Sequence, residues 1–371
     1  MTTAITRTRV LVLFGGRSSE HEISCATAAG VLSAIDRERF DVLPVGITRS
    51  GQWVLEEDRA EKFRLDPENM PQVQDNGTRV LLPNEIGSRE VMMVRDGVLE
   101  SLGDIDVVFP LLHGPFGEDG TVQGVLELAD VPFVGSGVLA GAAGMDKHYT
   151  KLVLAAAGIR VAPGLTVHRR EWDADASEVL ARIENTCAYP VFVKPARAGS
   201  SVGVSKVKSA DALPKAMGVA FAEDDHVLIE TGISGRELEV AILESRPGER
   251  PRASVAGEIV MEHGEFYDFA SKYLDASAAK LVCPAELTDA ELTQMQELAI
   301  RAFEALGCSG LSRVDFFLDD EGFLVNEINT MPGFTPISMF PRCWNESGIS
   351  YPELITELID VALAHAAQRR G

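Results

Sequence analysis

The sequence predicts an α/β chain that opens with a parallel unit and continues into hairpin-forming strands. Three observations carry that prediction. Arg9–Phe14, Phe40–Ile47 and Asp106–Pro110 are short β-rich runs interspersed with helical periods, the pattern of a parallel sheet that binds ligands beyond the carboxyl ends of its strands. After about residue 145 the pattern changes to paired strands separated by turns that contain Gly and Ser. At 371 residues, against a prior of roughly 150 residues per domain, the chain is long enough for two or three domains with substantial cores.

Arg9–Phe14 ends in Gly15-Gly16, and Ser18 or Ser19 is placed to cap a helix through Ile23, Ala26, Ala29 and Leu32. Residues 48–104 are rich in Pro, Asn and charge and read as irregular, with no chemistry assigned to them. Asp106–Pro110 leads into the Gly-rich loop from His113 to Gly120 and a helix toward Ala129, so Glu20 and His113 both fall at carboxyl ends of predicted strands. Met145–Ala157 reads as a helix and Val161–His168 as a strand. Val191–Pro195 runs into a Gly/Ser loop at 198–204, which is either a phosphate cradle of backbone N–H groups or an ordinary hairpin turn. It has no Walker pattern, and no GxGxxG follows a strand. Val227–Glu230 and Leu238–Leu243 are strands. Residues 263–284 form a long candidate binding loop with Tyr267, Asp268, Lys272 and Tyr273. Leu287–Leu306 is an amphipathic helix, and Tyr351–Ala366 closes the chain with another.

Hydrophobic residues make up 46% and charged residues 24% of the chain, the profile of a folded soluble protein. A net charge of −22 disfavours a broad nucleic-acid or anionic-membrane surface, so any phosphate site has to be locally basic. The first residues pass into a strand with no long apolar core or cleavage site, and no apolar run reaches membrane-spanning length. Five scattered cysteines, Cys25, Cys187, Cys283, Cys308 and Cys343, suit reduced thiols in the cytoplasm.

The segment from Leu311 to Gly333 is the most informative. Asp320-Glu321-Gly322 reads as a three-residue hairpin loop joining Leu311–Asp319 to Phe323–Asn329. With Asp319 facing Phe323, the register pairs Asp315 with Glu327 and Arg313 with Asn329, all on one face. Like charges directly opposite are unfavourable. The hairpin is therefore either a solvated acidic rim or a cation site, and two carboxylates with an Asn oxygen are a hard-ligand set suited to Mg²⁺ that also binds nucleotide phosphates.

The ordered motifs resemble a known family over nearly the whole chain. Gly15-Gly16-Arg17-Ser18-Ser19-Glu20-His21-Glu22-Ile23-Ser24, His113-Gly114 with Gly117-Glu118-Asp119-Gly120, and Met145-Asp146-Lys147 resemble the N-terminal half of the D-Ala-D-Ala ligases. Lys194-Pro195, Gly199-Ser200-Ser201-Val202-Gly203, Tyr267-Asp268 with Lys272-Tyr273, Arg313-Val314-Asp315 and Asn326–Gly333 continue the match. The resemblance implies an N-terminal Rossmann-like α/β domain (1–144) followed by a two-lobed ATP-grasp fold, with a central lobe at 145–225 and a C-terminal lobe at 226–371. It implies the substrates D-alanine and ATP, two Mg²⁺ ions with Mn²⁺ as a substitute, and a homodimer.

Residue by residue, the resemblance assigns Lys147 and Lys194 to the ATP phosphates, Lys272 to the γ-phosphate, and Ser201 to the phosphate loop. Glu230 and Glu237 take the adenine amino group and the ribose, with backbone at Thr231 to Ile233 along the base. Asp315, Glu327 and Asn329 are the implied Mg²⁺ ligands. Arg313 and the Gly333 N–H are the implied oxyanion donors, the alternative for Arg313 being an ion pair with Glu327. Glu20 is expected to hold the first D-alanine's ammonium, the alternative being a charge at a helix N-terminus. Ser200 and Tyr273 are expected to join Glu20 in one hydrogen-bonded set, His113 to lie near the first carboxylate, and Ser338 and Met339 to bind the second. Tyr273 matches the D-alanine type, where D-lactate ligases typically have His. A D-lactate or D-serine ligase, and a catalytically dead nucleotide-binding scaffold, are the alternatives.

Overall fold

The computed structural model describes residues 7–66, 68–199, 201–246, 248–261 and 279–370. Strand β1 (Thr8–Gly15) pairs in parallel with β2 (Phe40–Ile47) and with β7 (Val107–Pro110), while β3 (Trp53–Leu55) adds antiparallel to the edge, giving the order β3-β2-β1-β7. Val10 to Phe14 are all fully buried, as a parallel strand covered on both faces requires. One face carries helix α1 (His21–Ala34) and the C-terminal helix α10 (Tyr351–Arg370), so Phe14 and Phe109 share a core with Phe334, Trp344 and Leu358. The other face is closed by α2 (Thr121–Leu128) through Val122 and Leu126.

Two expectations for this region need correction. Helix α1 begins at His21 with Glu20 at its N-cap position and no side-chain cap, so neither Ser18 nor Ser19 caps it. The Ser18 hydroxyl is used between loops: it donates to the His113 carbonyl at 2.7 Å and accepts from the Glu20 N–H at 3.2 Å. Residues 48–104 are also not irregular. They hold β3 and an antiparallel sheet, β4 (Thr78–Leu81), β5 (Glu90–Arg95) and β6 (Val98–Asp104), in that order. The strands are short and β6 is largely exposed, so little apolar period marks them. The signal that was present is Asp96-Gly97, both at positive φ, between the paired Arg95 and Val98: a two-residue hairpin turn of the Asp-Gly kind.

Two antiparallel sheets follow. The smaller has the order β10-β9-β11-β8, from β10 (Ser205–Val207), β9 (Val191–Pro195), β11 (His226–Thr231) and β8 (Gly164–His168). Its inward Val191, Val193 and Ile229 pack on α6 (Ala176–Thr186) and α7 (Leu213–Glu223). The larger has the order β14-β13-β12-β15-β16, from β14 (Ala279–Val282), β13 (Arg252–Met261), β12 (Arg236–Leu243), β15 (Leu311–Asp319) and β16 (Gly322–Asn329). Helix α8 (Asp289–Leu306), started by a Thr288–Glu291 capping box, lays Met295, Ala299 and Phe303 on this sheet.

The helix expected over Met145–Ala157 is found as Lys147–Ala156, and a further helix that was not expected precedes it. Helices α3 (Val138–Met145) and α4 (Lys147–Ala156) are divided at Asp146, whose carboxylate accepts from the His148 and Tyr149 N–H groups. An Asp N-cap starts a new helix, and it aims Lys147 and Lys151 from the first turns of α4.

The hairpin register holds where it matters, but by a different route. Asp319 pairs with Gly322, which makes the turn two residues long, and Leu318 pairs with Phe323. A β-bulge between Asp315 and Phe316 absorbs one residue and restores Asp315 opposite Glu327 and Arg313 opposite Asn329.

Candidate active site

Three loops converge on the carboxylate of Glu20. The turn after β1 is tight: Gly15 (φ 89°) could not carry a Cβ, which would lie 2.4 Å from the Ile47 carbonyl oxygen. A Cβ on Gly114 would come within 2.6 Å of Glu20 Oε2, and one on Gly199 within 3.1 Å. Glycine at both positions therefore lets the loop at 113–120 and the Gly/Ser loop close on Glu20, which is buried. Behind it, His113 is held between Thr27 Oγ1 and the Met331 carbonyl, each at 3.2 Å. Burial draws the His113 imidazole below its ordinary value against the pull of Glu20, favouring the neutral ring. Glu118 accepts from the Gly114 N–H at 2.6 Å. Burial, reinforced by Glu20, raises its carboxyl to about 8.

A second cluster lies between α4, β9 and β11. Glu230 is 3% exposed and forms ion pairs with Lys194 and, at 2.9 Å, with Lys151. Burial opposes the Glu230 charge, but the two ammoniums outweigh it and hold the carboxyl below its usual range. Lys151 also donates to the Asn326 carbonyl at 3.2 Å, tying α4 to the bulged strand of the hairpin. One turn earlier, Lys147 donates to the Ala198 carbonyl at 2.8 Å and lies 3.7 Å from Glu327. It thus stands between the Gly/Ser loop and the hairpin.

The third cluster is a ladder of carboxylates across three neighbouring strands. Asp315 on β15 faces Glu239 on β12 on one side and Glu327 on β16 on the other. Arg313 grips Asp315 with two bonds of 2.7 Å and lies 3.3 Å from Glu239, while Asn329 Nδ2 donates to Asp315 at 3.0 Å. Burial works against the Arg313 charge, but Asp315 and Glu239 outweigh it. Rows of like charge across a sheet need counter-charge. All the side-chain donors offered by Asp315, Glu327 and Asn329 to a cation are oxygens, which fits a hard divalent ion. Among the described residues no three His, Cys, Asp or Glu side chains form a ready metal-binding group.

The three clusters line one cleft of about 240 Å³. Of the residues singled out from sequence, Glu20, His113, Lys147, Lys194, Ser201, Glu230, Thr231, Ile233, Glu237, Arg313, Asp315, Glu327, Asn329 and Gly333 all border it. Ser200, Lys272 and Tyr273 lie outside the described residues. Ser338 and Met339 do not border the cleft, though Ser338 lies against Gly333, which does. Ser338 is at the N-cap of α9 (Met339–Glu346), and its Oγ lies 3.2 Å from where a Cβ on Gly333 would sit. The Met339 side chain is buried in the core against β13.

Sequence reasoning passed over Lys151, Glu239 and the raised carboxyl of Glu118. Lys151 was findable, since it lies one turn after Lys147 on the same helix face. So was Glu239, two residues from Glu237 on the same face of β12. Nothing in the sequence marks the environment of Glu118, which arises only when the loops fold onto Glu20.

Two antiparallel sheets with a phosphate-type loop on one, a carboxylate hairpin on the other and a cleft between them define an ATP-grasp enzyme. Residues 9–136 match the family described as D-ala D-ala ligase N-terminus, and residues 153–360 match D-ala D-ala ligase C-terminus. A D-alanine--D-alanine ligase of an Arthrobacter species is 53% identical over 96% of this chain and 94% of its own length. One from Streptomyces coelicolor is 49% identical over 96% and 93%. The solved D-alanine-D-alanine ligase of Coxiella burnetii superimposes with a TM-score of 0.82 at 34% identity, covering 98% of this chain and 96% of that one. The VanG D-Ala:D-Ser ligase of Enterococcus faecalis superimposes at 0.81, also at 34% identity, covering 96% and 100%. The chain belongs to the D-Ala-D-Ala ligase family.

Proposed function

We propose that the protein uses ATP to join two D-alanine molecules into D-alanyl-D-alanine for the peptidoglycan precursor. The observation that carries the proposal is the make-up of one cleft, where carboxylates suited to a divalent cation and lysines beside a phosphate-type loop face the same space. Joining a carboxylate to an amine in water is uphill. Phosphoryl transfer from ATP first converts the carboxylate into an acyl phosphate, whose phosphate then leaves. Such a reaction needs charge neutralisation and alignment more than covalent help from the protein.

In this reading Glu20 holds the ammonium of the first D-alanine, and neutral His113 offers a hydrogen bond beside its carboxylate. Lys147, Lys194 and the loop around Ser201 receive the phosphates, with Lys272 added from the stretch before β14; the loop expected at 263–284 ends in that strand. The base lies along Thr231 to Ile233, with Glu237 at the ribose. Glu230 is assigned to the adenine amino group, and its pairing with Lys151 and Lys194 means it meets the base as a fixed acceptor. Asp315, Glu327 and Asn329 would hold Mg²⁺, or Mn²⁺ in its place, and a bound ion there supplies neutralisation of the phosphate charge. Arg313 and the Gly333 N–H stabilise the oxyanion when the second amine attacks, and Ser338 with the Met339 N–H holds the second carboxylate at the start of α9. Ser200 and Tyr273 complete the set around Glu20.

We assign the parallel unit (1–144) to substrate binding and the lobes 145–225 and 226–371 to ATP. A cytoplasmic homodimer is the state we propose, supported by the family and by five free thiols. No helix among the described residues is long and apolar enough to cross a membrane.

The likeness to a D-Ala:D-Ser ligase favours one second reading, a different second substrate. The test is Mg²⁺-dependent ADP release with D-alanine, with L-alanine, and with D-alanine plus D-serine or D-lactate, the products being identified by mass spectrometry. ADP release that depends on D-alanine, with the D-alanyl-D-alanine dipeptide dominant, is expected. A dominant mixed product would move the assignment to the second reading, and no stimulated ADP would remove both. Tyr273→His is expected to shift product toward the D-lactate ester.

A further inference from the structure

One pair of nucleophiles takes no part in the chemistry above. Cys283 directly follows the edge strand β14, and Cys343 lies in the middle of α9, sixty positions later in the chain. Both are free, and their sulfurs are 3.6 Å apart. The other three cysteines are elsewhere: Cys25 in α1, Cys187 after α6 and Cys308 after α8, all buried. The pair differs in access, Cys343 being 1% exposed and Cys283 partly exposed. The hydrogen bond with Cys343 is the main influence lowering the Cys283 thiol, and the Arg342 guanidinium adds to it against burial and Glu346. The same contact, with burial, pushes Cys343 up. Two sulfurs 3.6 Å apart, one on a partly exposed thiol whose pKa is lowered and one on a buried thiol whose pKa is raised, are the arrangement of an attacking and a resolving cysteine.

We propose that Cys283 and Cys343 form a reversible two-electron oxidation site for peroxide, whose product is an intrachain disulfide between β14 and α9. The Cys283 thiolate attacks one peroxide oxygen; an S–O bond forms, the O–O bond breaks, and hydroxide leaves and is protonated to water. The Cys343 sulfur then attacks the Cys283 sulfenic acid; the S–S bond forms, the S–O bond breaks, and the departing hydroxide takes the Cys343 proton as a second water. Two thiols have lost two electrons and two protons, and hydrogen peroxide has become two waters. A dithiol reverses the step by exchange. The bond ties the edge strand to the helix whose N-cap residue, Ser338, lies against Gly333 at the border of the cleft. This functional consequence rests on the ligase reading, whereas the chemical site does not.

The experiment treats the reduced full-length chain with hydrogen peroxide, blocks remaining thiols by alkylation and maps peptides by mass spectrometry. The thiol titre in denaturant is expected to fall from the five free cysteines by two per chain, with a Cys283–Cys343 peptide that dithiothreitol removes. In Cys343→Ser, Cys283 should accumulate as a sulfenic acid captured by dimedone. In Cys283→Ser, whose altered side chain is partly exposed and tolerant, Cys343 should stay reduced. Stepwise oxidation of Cys283 to sulfinic acid without a cross-link in the wild type, or a link to any other cysteine, would overturn the site. For the cross-linked enzyme a severalfold rise in KM for D-alanine with KM for ATP unchanged is expected, reversed by dithiothreitol and absent in both variants. Unchanged D-alanine saturation in a sample shown to be cross-linked would overturn the coupling to α9 while leaving ligase activity intact.

Discussion

At the hairpin end of the cleft, Glu239, Asp315 and Glu327 face Arg313 and Lys147; at the other end, Lys151 and Lys194 enclose Glu230. The first cluster has an excess of carboxylate and the second an excess of ammonium, so a cation bound to a polyphosphate matches the cleft end to end. Asp315 and Glu239 are as deeply set as the lysines around Glu230, but the Glu327–Lys147 pair of the hairpin end is shallower than the Glu230–Lys151 pair. The Glu327 side chain is 28% exposed and Lys147 16%, against 4% for Glu230 and 10% for Lys151. Charges that keep some water can exchange partners for a ligand at little cost, whereas a charge in low dielectric has to stay paired for the fold itself to hold. The hairpin cluster is therefore expected to fail in function when altered, and the Glu230 cluster in stability.

The largest effect follows from Glu327→Gln. Shape and hydrogen-bonding capacity are nearly kept while a charge is lost from a repulsive ladder, so thermal unfolding should stay within about 2 °C of wild type or rise slightly. ADP release should fall by roughly 10³-fold, about 4 kcal/mol of lost charge stabilisation. Full turnover in this variant would remove the metal assignment. Lys151→Met makes the opposite prediction. It leaves Glu230 buried with Lys194 as its remaining ammonium and frees the Asn326 carbonyl. A loss of about 3 kcal/mol in urea unfolding is expected, near the lower end for breaking a buried ion pair. If Lys151→Met were stable and merely inactive, the contrast between the two ends would collapse.

That contrast shows which parts of the site were legible in the sequence. The pairing of Asp315 with Glu327 could be read because a turn signal sits between two strands of clear period, and a sheet position depends on counting from such a signal. The count was one residue out at the turn, and the bulge between Asp315 and Phe316 restored it. Lys147 and Lys194 were recognised through motifs, but their depth was not, since burial depends on how α4, β9 and β11 meet. The sheet β4-β5-β6 was missed because its strands are short and β6 is mostly exposed, so alternation was weak where Asp96-Gly97 was the better guide. Helix α3 was missed for a related reason: Val138–Met145 is short and mostly Ala and Gly, so it carries little period, and only the cap at Asp146 marks it off from α4.

A smaller effect is expected from Glu239→Gln, which tests whether the two ends are separable. Arg313 divides itself between Asp315 and Glu239. With Glu239 neutral, the guanidinium has more hold on Asp315 and the ladder has less negative charge, and both changes weaken a cation site. Mn²⁺ affinity, followed by electron paramagnetic resonance in the absence of nucleotide, should fall about tenfold, the size of one charge-assisted contact. Unfolding free energy should change less than in Lys151→Met. Unchanged Mn²⁺ affinity would show that Glu239 serves Arg313 and not the cation end.

The smallest effect concerns the corner where two carboxylates, Glu20 and Glu118, approach each other. Burial first, then Glu20, raises the Glu118 carboxyl from 4.5 to about 8 in the folded chain. Between those values the native state holds a proton that the unfolded chain has released, so this group makes stability fall as pH rises from about 4.5 to about 8. Below that window both states are protonated and the group contributes no pH dependence. The full shift corresponds to a few kcal/mol, but Glu118 is only partly buried and solvent screens it, so about 1 kcal/mol is the expected size. Glu118→Gln removes the titration and keeps an oxygen to accept from the Gly114 N–H. Measured by urea unfolding at pH 5 and pH 8, the variant should gain on the wild type by about 1 kcal/mol between the two pH values. Parallel behaviour would mean that Glu118 is already ionised at neutral pH. The corner would then belong with the hairpin end, as a second concentration of negative charge facing the cleft, and in the proposed reading the first D-alanine's ammonium would meet two carboxylates in place of one.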